Sequence, residues 1–193
     1  MYKNYLKRFI DFTIVFVALL IIWPILLCIT IWLHFANKGA GAFFTQERPG
    51  KDAKIFKVIK FKSMTDERDA DGNLLPDTKR LTKIGAFIRA HHLDELPQLY
   101  NVFVGDMSFV GPRPERKFYI DQIVEYDKRY VYLYQIRPGV TSPATLYNGY
   151  TDTMKRMLCR LEYDLYYLGH RSWWMDVSIL FKTFCRIVFG KVF

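Results

Sequence analysis

The longest apolar run lies near the start of the chain and is interrupted only by a proline. Residues 12–33, FTIVFVALLIIWPILLCITIWL, include no charged side chain. As a single helix this segment extends roughly 33 Å, enough to cross the hydrocarbon core of a bilayer. It is too long for the core of a signal peptide and lacks a small-residue cleavage site, so we expect it to remain in the mature protein.

Pro24 lies near the middle of this run, where it removes a backbone donor and clashes with the preceding helical turn. Basic residues flank both ends: Lys3, Lys7 and Arg8 before the run, and Lys38, Arg48, Lys51 and Lys54 after it. Positive flanks favour the cytoplasmic side, so both ends are expected there. A helix that enters one leaflet, bends at Pro24 and returns satisfies both observations, each half being roughly 16 Å long. A single span remains the alternative.

The rest of the pattern predicts an α+β domain that is mostly helical. Residues 42–61, AFFTQERPGKDAKIFKVIKF, predict a β-hairpin with its turn at residues 48–51. Apolar residues at helical spacing predict amphipathic helices in three further segments, residues 81–92, 116–136 and 152–170.

Two more helices are predicted from other signals. In LDELPQLYNVFVGD, Pro97 is tolerated only in a first turn, which places Asp94 or Glu95 at the helix N-terminus. Residues 172–193 mix tryptophan and phenylalanine with basic residues, a composition that suits an amphipathic helix in the headgroup region. A helix packed on the core would show similar spacing.

The composition limits the class of protein. A chain of 193 residues is long enough for one domain with a real core. The net charge of +9 indicates an anionic partner, either nucleic acid, a phosphorylated substrate or an anionic membrane surface. Hydrophobic residues make up 51% of the chain, which excludes a disordered basic tail. The three cysteines lack metal-ligand spacing and indicate a reduced, cytosol-facing domain.

The candidate chemistry lies in residues 91–115, HHLDELPQLYNVFVGDMSFVGPRPE, where Asp94 and Glu95 are adjacent in a basic chain. Several cations precede or follow the pair or end the second predicted strand: Lys60, Lys62, Arg89 and Arg113. Such cations, together with a helix N-terminus, can hold a diphosphate. Mg²⁺ would then offset the charge of nearby carboxylates, one of which could attack phosphorus. The alternative is that Asp94 only caps the helix, with Glu95 a favourable first-turn charge.

Taken together, these motifs resemble the small monotopic phosphoglycosyl transferases, also called bacterial sugar transferases. The resemblance lies in Pro24 within the apolar run and in YLKRFIDF, FTQERPGKDAKIFKVIKFKSM, LDELPQLYNVFVGDMSFVGPRPE, RPGVT and YDLYYL. It implies a re-entrant membrane helix, dependence on Mg²⁺, and transfer of a sugar 1-phosphate from a UDP-sugar to polyprenyl (undecaprenyl) phosphate with release of UMP. It further implies that Asp94 is the nucleophile that forms a covalent aspartyl-phosphosugar, with Glu95 its partner near the metal.

The resemblance extends to other residues and to location. It implies that Arg89 and Arg113 contact phosphate or nucleotide. The complete set of candidate substrate-binding residues is Lys60, Lys62, Arg89, Arg113 and Arg137. We expect a re-entrant membrane segment in residues 1–36 and a catalytic domain in residues 37–193, with an interfacial C-terminal helix, on the cytoplasmic face of a bacterial inner membrane. Its partners would be the UDP-sugar, polyprenyl phosphate and the lipid bilayer, with no nucleic acid.

Two rival functions remain. A CDP-alcohol phosphatidyltransferase would require several transmembrane helices and an Asp-rich motif containing Gly-Ala-Arg, and the sequence has neither. A membrane-tethered module that binds nucleic acid or anionic lipid would account for the net charge and the aromatic C-terminal segment. It would leave Asp94 and Glu95 without a role.

Overall fold

Helices make up most of the structure, with two small sheets, and this confirms the predicted α+β, mostly helical class. The computed structural model describes residues 2–149 and 153–189. Its α-helices are α1 Lys7–Ala36, α2 Asp77–Arg80, α3 Lys83–Ala90, α4 Gln98–Val104, α5 Lys117–Tyr126, α6 Pro143–Tyr147, α7 Met154–His170 and α8 Trp173–Phe189. Its strands are β1 Phe43–Pro49, β2 Ile55–Phe61, β3 Ser108–Val110 and β4 Gly139–Thr141. A π-helix, Tyr2–Leu6, precedes α1, and the 3₁₀-helices are Lys51–Ala53, Leu93–Glu95 and Lys128–Gln135.

The predicted hairpin is formed by β1 and β2, which pair antiparallel. Arg48 and Pro49 still pair with β2, opposite Phe56 and Ile55. The turn therefore begins after Pro49, slightly later than the sequence predicted. A proline at the end of an edge strand costs no ladder hydrogen bond, which explains why pairing continues to that point.

A second sheet, which the sequence did not predict, consists of the short parallel strands β3 and β4. Two segments cross closely here, because Gly111 directly follows β3 and Gly139 begins β4. A Cβ added to Gly139 would lie 2.1 Å from the backbone nitrogen of Gly111. The Gly139 nitrogen also donates to the Pro112 carbonyl at 2.9 Å. Only glycine fits this crossing, which fixes the turn that carries Arg113.

Helix α1 runs without a break in secondary structure from Lys7 to Ala36, through Pro24. In the part of the chain that is described, it is the one helix long and apolar enough to cross a membrane. Large apolar side chains along most of its length are exposed, among them Leu20, Ile21 and Trp23. This exposed surface suits lipid better than water. The bend at Pro24 stays a prediction.

The two ends of α1 pack against the same folded domain. Near the start, Arg8 donates to the Val102 carbonyl at 2.5 Å. Near the end, Leu33 is fully buried in a cluster with Phe61 and Ile88. A helix that crossed the bilayer would place its ends on opposite sides. These contacts therefore favour an arrangement in which both ends of α1 lie on one side of the membrane.

Helix α8 has both an inward and an outward apolar face. Ile179 and Cys185 are buried against the rest of the protein, whereas a second set of large apolar side chains is exposed: Trp174, Phe181, Phe184 and Ile187. The helix therefore packs on the core, as the alternative interpretation of its sequence required. It also presents an apolar surface, as the interfacial interpretation required.

The contacts at both ends of α1 predict the outcome of a cysteine-labelling experiment. In a background with Cys28, Cys159 and Cys185 replaced by alanine, we would introduce Tyr5→Cys or Lys38→Cys and treat intact cells with a membrane-impermeant maleimide. Because the two ends are expected on the same side, both sites should be labelled, or both protected, under the same condition. Permeabilised cells, in which both should react, provide the control. Labelling of one site in intact cells and of the other only after permeabilisation would restore the single-span topology.

Candidate active site

The acidic pair lies in a tight turn between α3 and α4. His92 adopts a left-handed conformation, with φ of 55°, and reverses the chain into the 3₁₀-turn that contains Asp94 and Glu95. Helix α4 begins only at Gln98, and Pro97 is its N-cap residue without a side-chain capping bond. The prediction that Asp94 or Glu95 begins this helix is therefore wrong by about one turn. The physical reason is that Pro97 stands at the cap rather than later in the first turn.

Helix α3 carries Arg89 to the site and is held against the segment that follows β2. The Thr82 side chain caps α3 by accepting from the Gly85 nitrogen at 2.9 Å. A Cβ added to Gly85 would lie 1.9 Å from the Ser63 carbonyl oxygen, so only glycine permits this approach.

Asn101 joins the hairpin to α4. Its side chain is buried, accepts from the Ile59 nitrogen at 3.1 Å and donates to the Lys57 carbonyl at 2.8 Å. These two bonds fix β2 relative to the helix that follows the acidic pair. They place Lys60, the next residue of β2, beside that pair. Sequence analysis missed Asn101, although a polar residue on the apolar face of a short helix is a signal for such a bond.

Six of the seven predicted site residues line one cleft of about 600 Å³: Lys60, Lys62, Arg89, Asp94, Glu95 and Arg113. The seventh, Arg137, is not in this cleft. Its Nε atom donates to the Gly105 carbonyl at 2.7 Å, at the other end of α4, and it lines a different cavity. The structure thus brings together the residues of the main sequence block and separates Arg137 from them. A substrate contact by Arg137 stays a prediction, but not as part of this cleft.

Glu95 is an ion-paired carboxylate. Lys60 Nζ lies 2.5 Å from Glu95 Oε1, and Arg113 Nη2 lies 3.6 Å from the same oxygen. Burial alone would raise the pKa of the Glu95 carboxyl, but Arg113 and Lys60 outweigh it and the pKa is lowered. Glu95 is therefore ionised at neutral pH and holds two cations in the cleft.

Asp94 has a different environment. Its carboxylate makes no hydrogen bond and no ion pair within 4.0 Å among the residues of known placement. Burial raises the pKa of the Asp94 carboxyl, Lys60 and Arg89 lower it, Glu95 raises it, and the net shift is upward. A carboxylate that is partly desolvated and not neutralised by direct contact is a good nucleophile or metal ligand.

Arg48 and Gln46 also line the cleft, and sequence analysis missed both. Gln46 accepts from Arg48 Nη2 at 2.6 Å. Both lie on the same face of β1 as Phe44, at intervals of two residues. Phe44 itself pairs directly with Lys60 of β2. Side chains two residues apart share a face of a strand, so the periodicity around Lys60 and Lys62 could have identified them. His92 lines the cleft as well.

A Mg²⁺ ion in this cleft would have few protein ligands. Residues 2–149 and 153–189 contain no group of three or more His, Cys, Asp or Glu side chains placed to hold a metal. The Asp94 carboxylate and Glu95 Oε2 nevertheless have no partner in that part of the chain. Mg²⁺ commonly takes one or two carboxylates and fills its remaining positions with water and substrate phosphates. These two residues fit such a site.

Comparison with known proteins connects this geometry to a family. The sequence matches the family described as bacterial sugar transferase over residues 2–190. The chain belongs to this family. The match includes α1, the hairpin and the cleft, so the predicted family is confirmed.

Three relatives of this bacterial sugar transferase chain show the range of names in the family. It is 40% identical over 92% of its length to a Klebsiella pneumoniae protein named UDP-glucose:undecaprenyl-phosphate glucose-1-phosphate transferase, of which it covers 39%. It is 34% identical over 96% of its length to an Aeromonas hydrophila protein named UDP-N-acetylgalactosamine-undecaprenyl-phosphate N-acetylgalactosaminephosphotransferase, of which it covers 44%. An uncharacterized sugar transferase of Bacillus subtilis, EpsL, is 38% identical and is covered over 89% of its length. The chain thus spans about two fifths of the first two relatives and most of the third.

Substitution of Asp94 and substitution of Glu95 are expected to change the stability of the folded protein in opposite directions. Because the pKa of Asp94 is raised in the folded state, its ionised form disfavours folding at neutral pH. Asp94→Asn should therefore raise the melting temperature at pH 7.5. The gain should shrink as the pH falls through the raised pKa and vanish below the ordinary value of 3.8.

For Glu95 the sign is reversed, because its pKa is lowered in the folded state. Glu95→Gln should destabilise the protein at pH 7.5 by on the order of 1.5 kcal/mol, the contribution of a hydrogen bond to a charged group. This loss should diminish below pH 4.5, where the unfolded chain begins to take up a proton on Glu95, and vanish once the pH falls below the lowered pKa of the folded state. Thermal unfolding between pH 3 and 8 measures both variants. Effects of the same sign would contradict the assigned environments.

Proposed function

We propose that this chain transfers a sugar 1-phosphate from a UDP-sugar to polyprenyl phosphate, releases UMP, and passes through a covalent intermediate on Asp94. The observation that carries the proposal is the Asp94 carboxylate, which has no direct partner among the described residues of a cationic cleft, while its neighbour Glu95 is ion-paired. Family membership and the names of the relatives support the reaction class. The identity of the sugar is left to experiment, because the relatives named above differ in theirs.

In the first step a carboxylate oxygen of Asp94 attacks the β-phosphorus of the UDP-sugar. The bond from that phosphorus to the bridging oxygen breaks, and UMP leaves with the electron pair. Arg113 and Arg89 line the same cleft, where they can stabilise the negative charge that develops on the phosphate oxygens. No proton has to move, since both the attacking group and the leaving group are anions.

In the second step a phosphate oxygen of the polyprenyl acceptor attacks the same phosphorus. The bond to Asp94 breaks and its carboxylate is restored. The product is a polyprenyl-diphosphate-sugar, and atoms and charge balance over the two steps. Two displacements at one phosphorus require an acceptor phosphate to enter the place that UMP has left.

In this reaction Glu95 acts as a positioning residue for the cations of the cleft. Its Oε1 atom holds Lys60 and Arg113 beside Asp94, so the diphosphate meets cations already in place. Mg²⁺ bound by the Asp94 and Glu95 carboxylates would neutralise part of the diphosphate charge. We infer that the reaction depends on this ion.

The membrane arrangement forms part of the proposal, because a polyprenyl chain stays in the bilayer and the phosphate must be reached at its surface. Residues 1–36 would form the re-entrant segment, bent at Pro24, and residues 37–193 the catalytic domain with α8 at the interface. Both basic flanks of α1 favour the cytoplasmic face of a bacterial inner membrane. The exposed apolar surface of α1 and the contacts at its two ends support this arrangement.

A membrane-tethered module that binds nucleic acid would not require an acidic side chain such as Asp94 among the cations of its binding surface. Salt-sensitive binding of nucleic acid without release of UMP would favour that module.

The proposal predicts a partial reaction. With Mg²⁺ and the right UDP-sugar but no acceptor, the protein should release about one UMP per chain, the burst expected of covalent catalysis. The sugar is first identified by testing a panel of UDP-sugars for UMP release with undecaprenyl phosphate. Asp94→Asn should abolish both turnover and burst, although the variant keeps its fold.

Asp121→Asn serves as the matched control, because Asp121 is an exposed carboxylate on α5 that pairs with Lys117, outside the Asp94 cleft. It should retain the burst and full turnover. A simple capping role for Asp94 predicts little effect of Asp94→Asn, since an amide caps about as well as a carboxylate. An active Asp94→Asn enzyme would therefore rule out the covalent route.

A further inference from the structure

A second cavity, of about 280 Å³, lies at the base of α1 and shares no lining residue with the Asp94 cleft. Five cationic side chains line it, from four parts of the chain: Lys7, Arg8, Lys51, Arg137 and Arg171. The carboxylate in its lining is Asp11, which is buried and accepts a hydrogen bond from Ser108 at 2.5 Å. The cavity wall is therefore strongly positive.

The arginines of this wall are not neutralised. Lys7 is paired with Asp176 at 2.5 Å. In contrast, no carboxylate within the described ranges lies within 4.0 Å of Arg8, Arg137 or Arg171. Arg8 and Arg137 meet at Gly105: Arg137 Nε donates to its carbonyl, and a Cβ there would lie 3.1 Å from Arg8 Nη2.

Helix α4 explains part of this arrangement. Its C-terminal carbonyls accept from Arg8 at Val102 and Phe103, and a helix C-terminus favours cations. That role uses both Nη atoms of Arg8 but only Nε of Arg137. The Nη atoms of Arg137 make no hydrogen bond with any residue whose placement is described.

The carbonyls at the end of α4 do not account for the position of Arg171. Its Nε and Nη1 atoms are buried and have no hydrogen-bond partner among the described residues. Leaving buried donors of a charged group unpaired costs the free energy of desolvating them without a compensating hydrogen bond. An oxyanion in the cavity would satisfy these donors and offset the excess charge, since guanidinium groups match the geometry of phosphate oxygens.

The position of the cavity indicates where such an anion comes from. Its lining begins with Tyr5, which is 78% exposed, and the exposed apolar surface of α1 starts at Phe9. Tyr2 packs edge-on against Trp173 at 6.3 Å, and the next residue, Trp174, is 78% exposed. Aromatic side chains at the base of an apolar helix mark the headgroup level of a membrane.

We propose that this cavity is a second oxyanion site that binds the phosphate group of a membrane lipid. It lies at the C-terminal end of α4, whereas Asp94 and Glu95 precede the N-terminal end of that helix, about 10 Å away along its axis. A lipid phosphate held there would fix the base of α1 at the membrane surface and set the height of the catalytic cleft above it.

Thermal unfolding of the full chain in a neutral detergent tests the proposal, because a ligand that binds the folded state raises its stability by mass action. The probes are dihexanoyl phosphatidic acid below its micelle concentration, inorganic phosphate, and dihexanoyl phosphatidylcholine, whose headgroup carries no net charge. The phosphatidic acid should stabilise the original protein at concentrations at least tenfold lower than the other two.

Arg171→Gln should weaken the phosphatidic acid effect at least tenfold. Its stability without ligand should not fall, because Nε and Nη1 of Arg171 have no hydrogen-bond partner among the described residues to lose. Arg137→Gln, which keeps a donor near Gly105, should also weaken the binding of phosphatidic acid. It provides a second test of the cavity if Arg171→Gln does not fold. Lys182→Gln removes one charge from α8 outside the cavity and should bind as the original protein does. Arg113→Gln should also bind normally, since it alters only the Asp94 cleft.

Equal binding by Arg171→Gln and the original protein would overturn the proposal. Loss of binding in Arg113→Gln instead would place the lipid phosphate in the Asp94 cleft. Equal stabilisation by inorganic phosphate would show an oxyanion site without a lipid. These outcomes do not depend on turnover, so the result stands apart from that of the UMP assay.

Discussion

The contact between Lys60 and Glu95, at 2.5 Å, is the interaction on which the rest of the site depends. Two neighbouring carboxylates repel each other, and both would be costly to bury in the same ionised state. Lys60 and Arg113 resolve this conflict by neutralising one of them, Glu95. Asp94 is left ionisable, and no residue in the described part of the chain pairs with it directly. The hairpin, the Asn101 bonds to β2 and the glycine crossing below Arg113 all serve to deliver these two cations to one carboxylate.

The two ends of α4 have different roles. At its N-terminal side a carboxylate pair and several cations form a cleft suited to a diphosphate. At its C-terminal side Arg8 of α1 binds the last carbonyls, so α1 is attached to the helix that follows the acidic pair. A seven-residue helix is rigid over about 10 Å, and α4 therefore fixes the position of α1 relative to the candidate active site. In the proposed reaction, whose acceptor is a lipid phosphate, this direct connection would hold the cleft at a fixed distance from α1.

How much of this could be predicted from sequence differs from element to element. Helices α3 and α7 followed from local periodicity, the hairpin from two β-rich runs around a turn, and α8 from its composition, while the adjacency of Asp94 and Glu95 identified the site. Local patterns could not predict the pairing of β3 with β4, because strands of three residues carry too little signal and their partners are distant in sequence. The bonds of Asn101 and the separation of Arg137 from the cleft also depend on tertiary packing. The unpaired donors of Arg171 become visible only when burial is known.

Locating the covalent bond tests the central claim that only one of the two carboxylates is reactive. The protein would be incubated with Mg²⁺ and its UDP-sugar without acceptor, quenched, digested and analysed by tandem mass spectrometry of the peptide that contains residues 93–101. The account predicts that the phosphosugar mass is attached to Asp94, in the original protein and in Lys182→Gln alike. A modification on Glu95, or UMP release with no modified peptide, would contradict it.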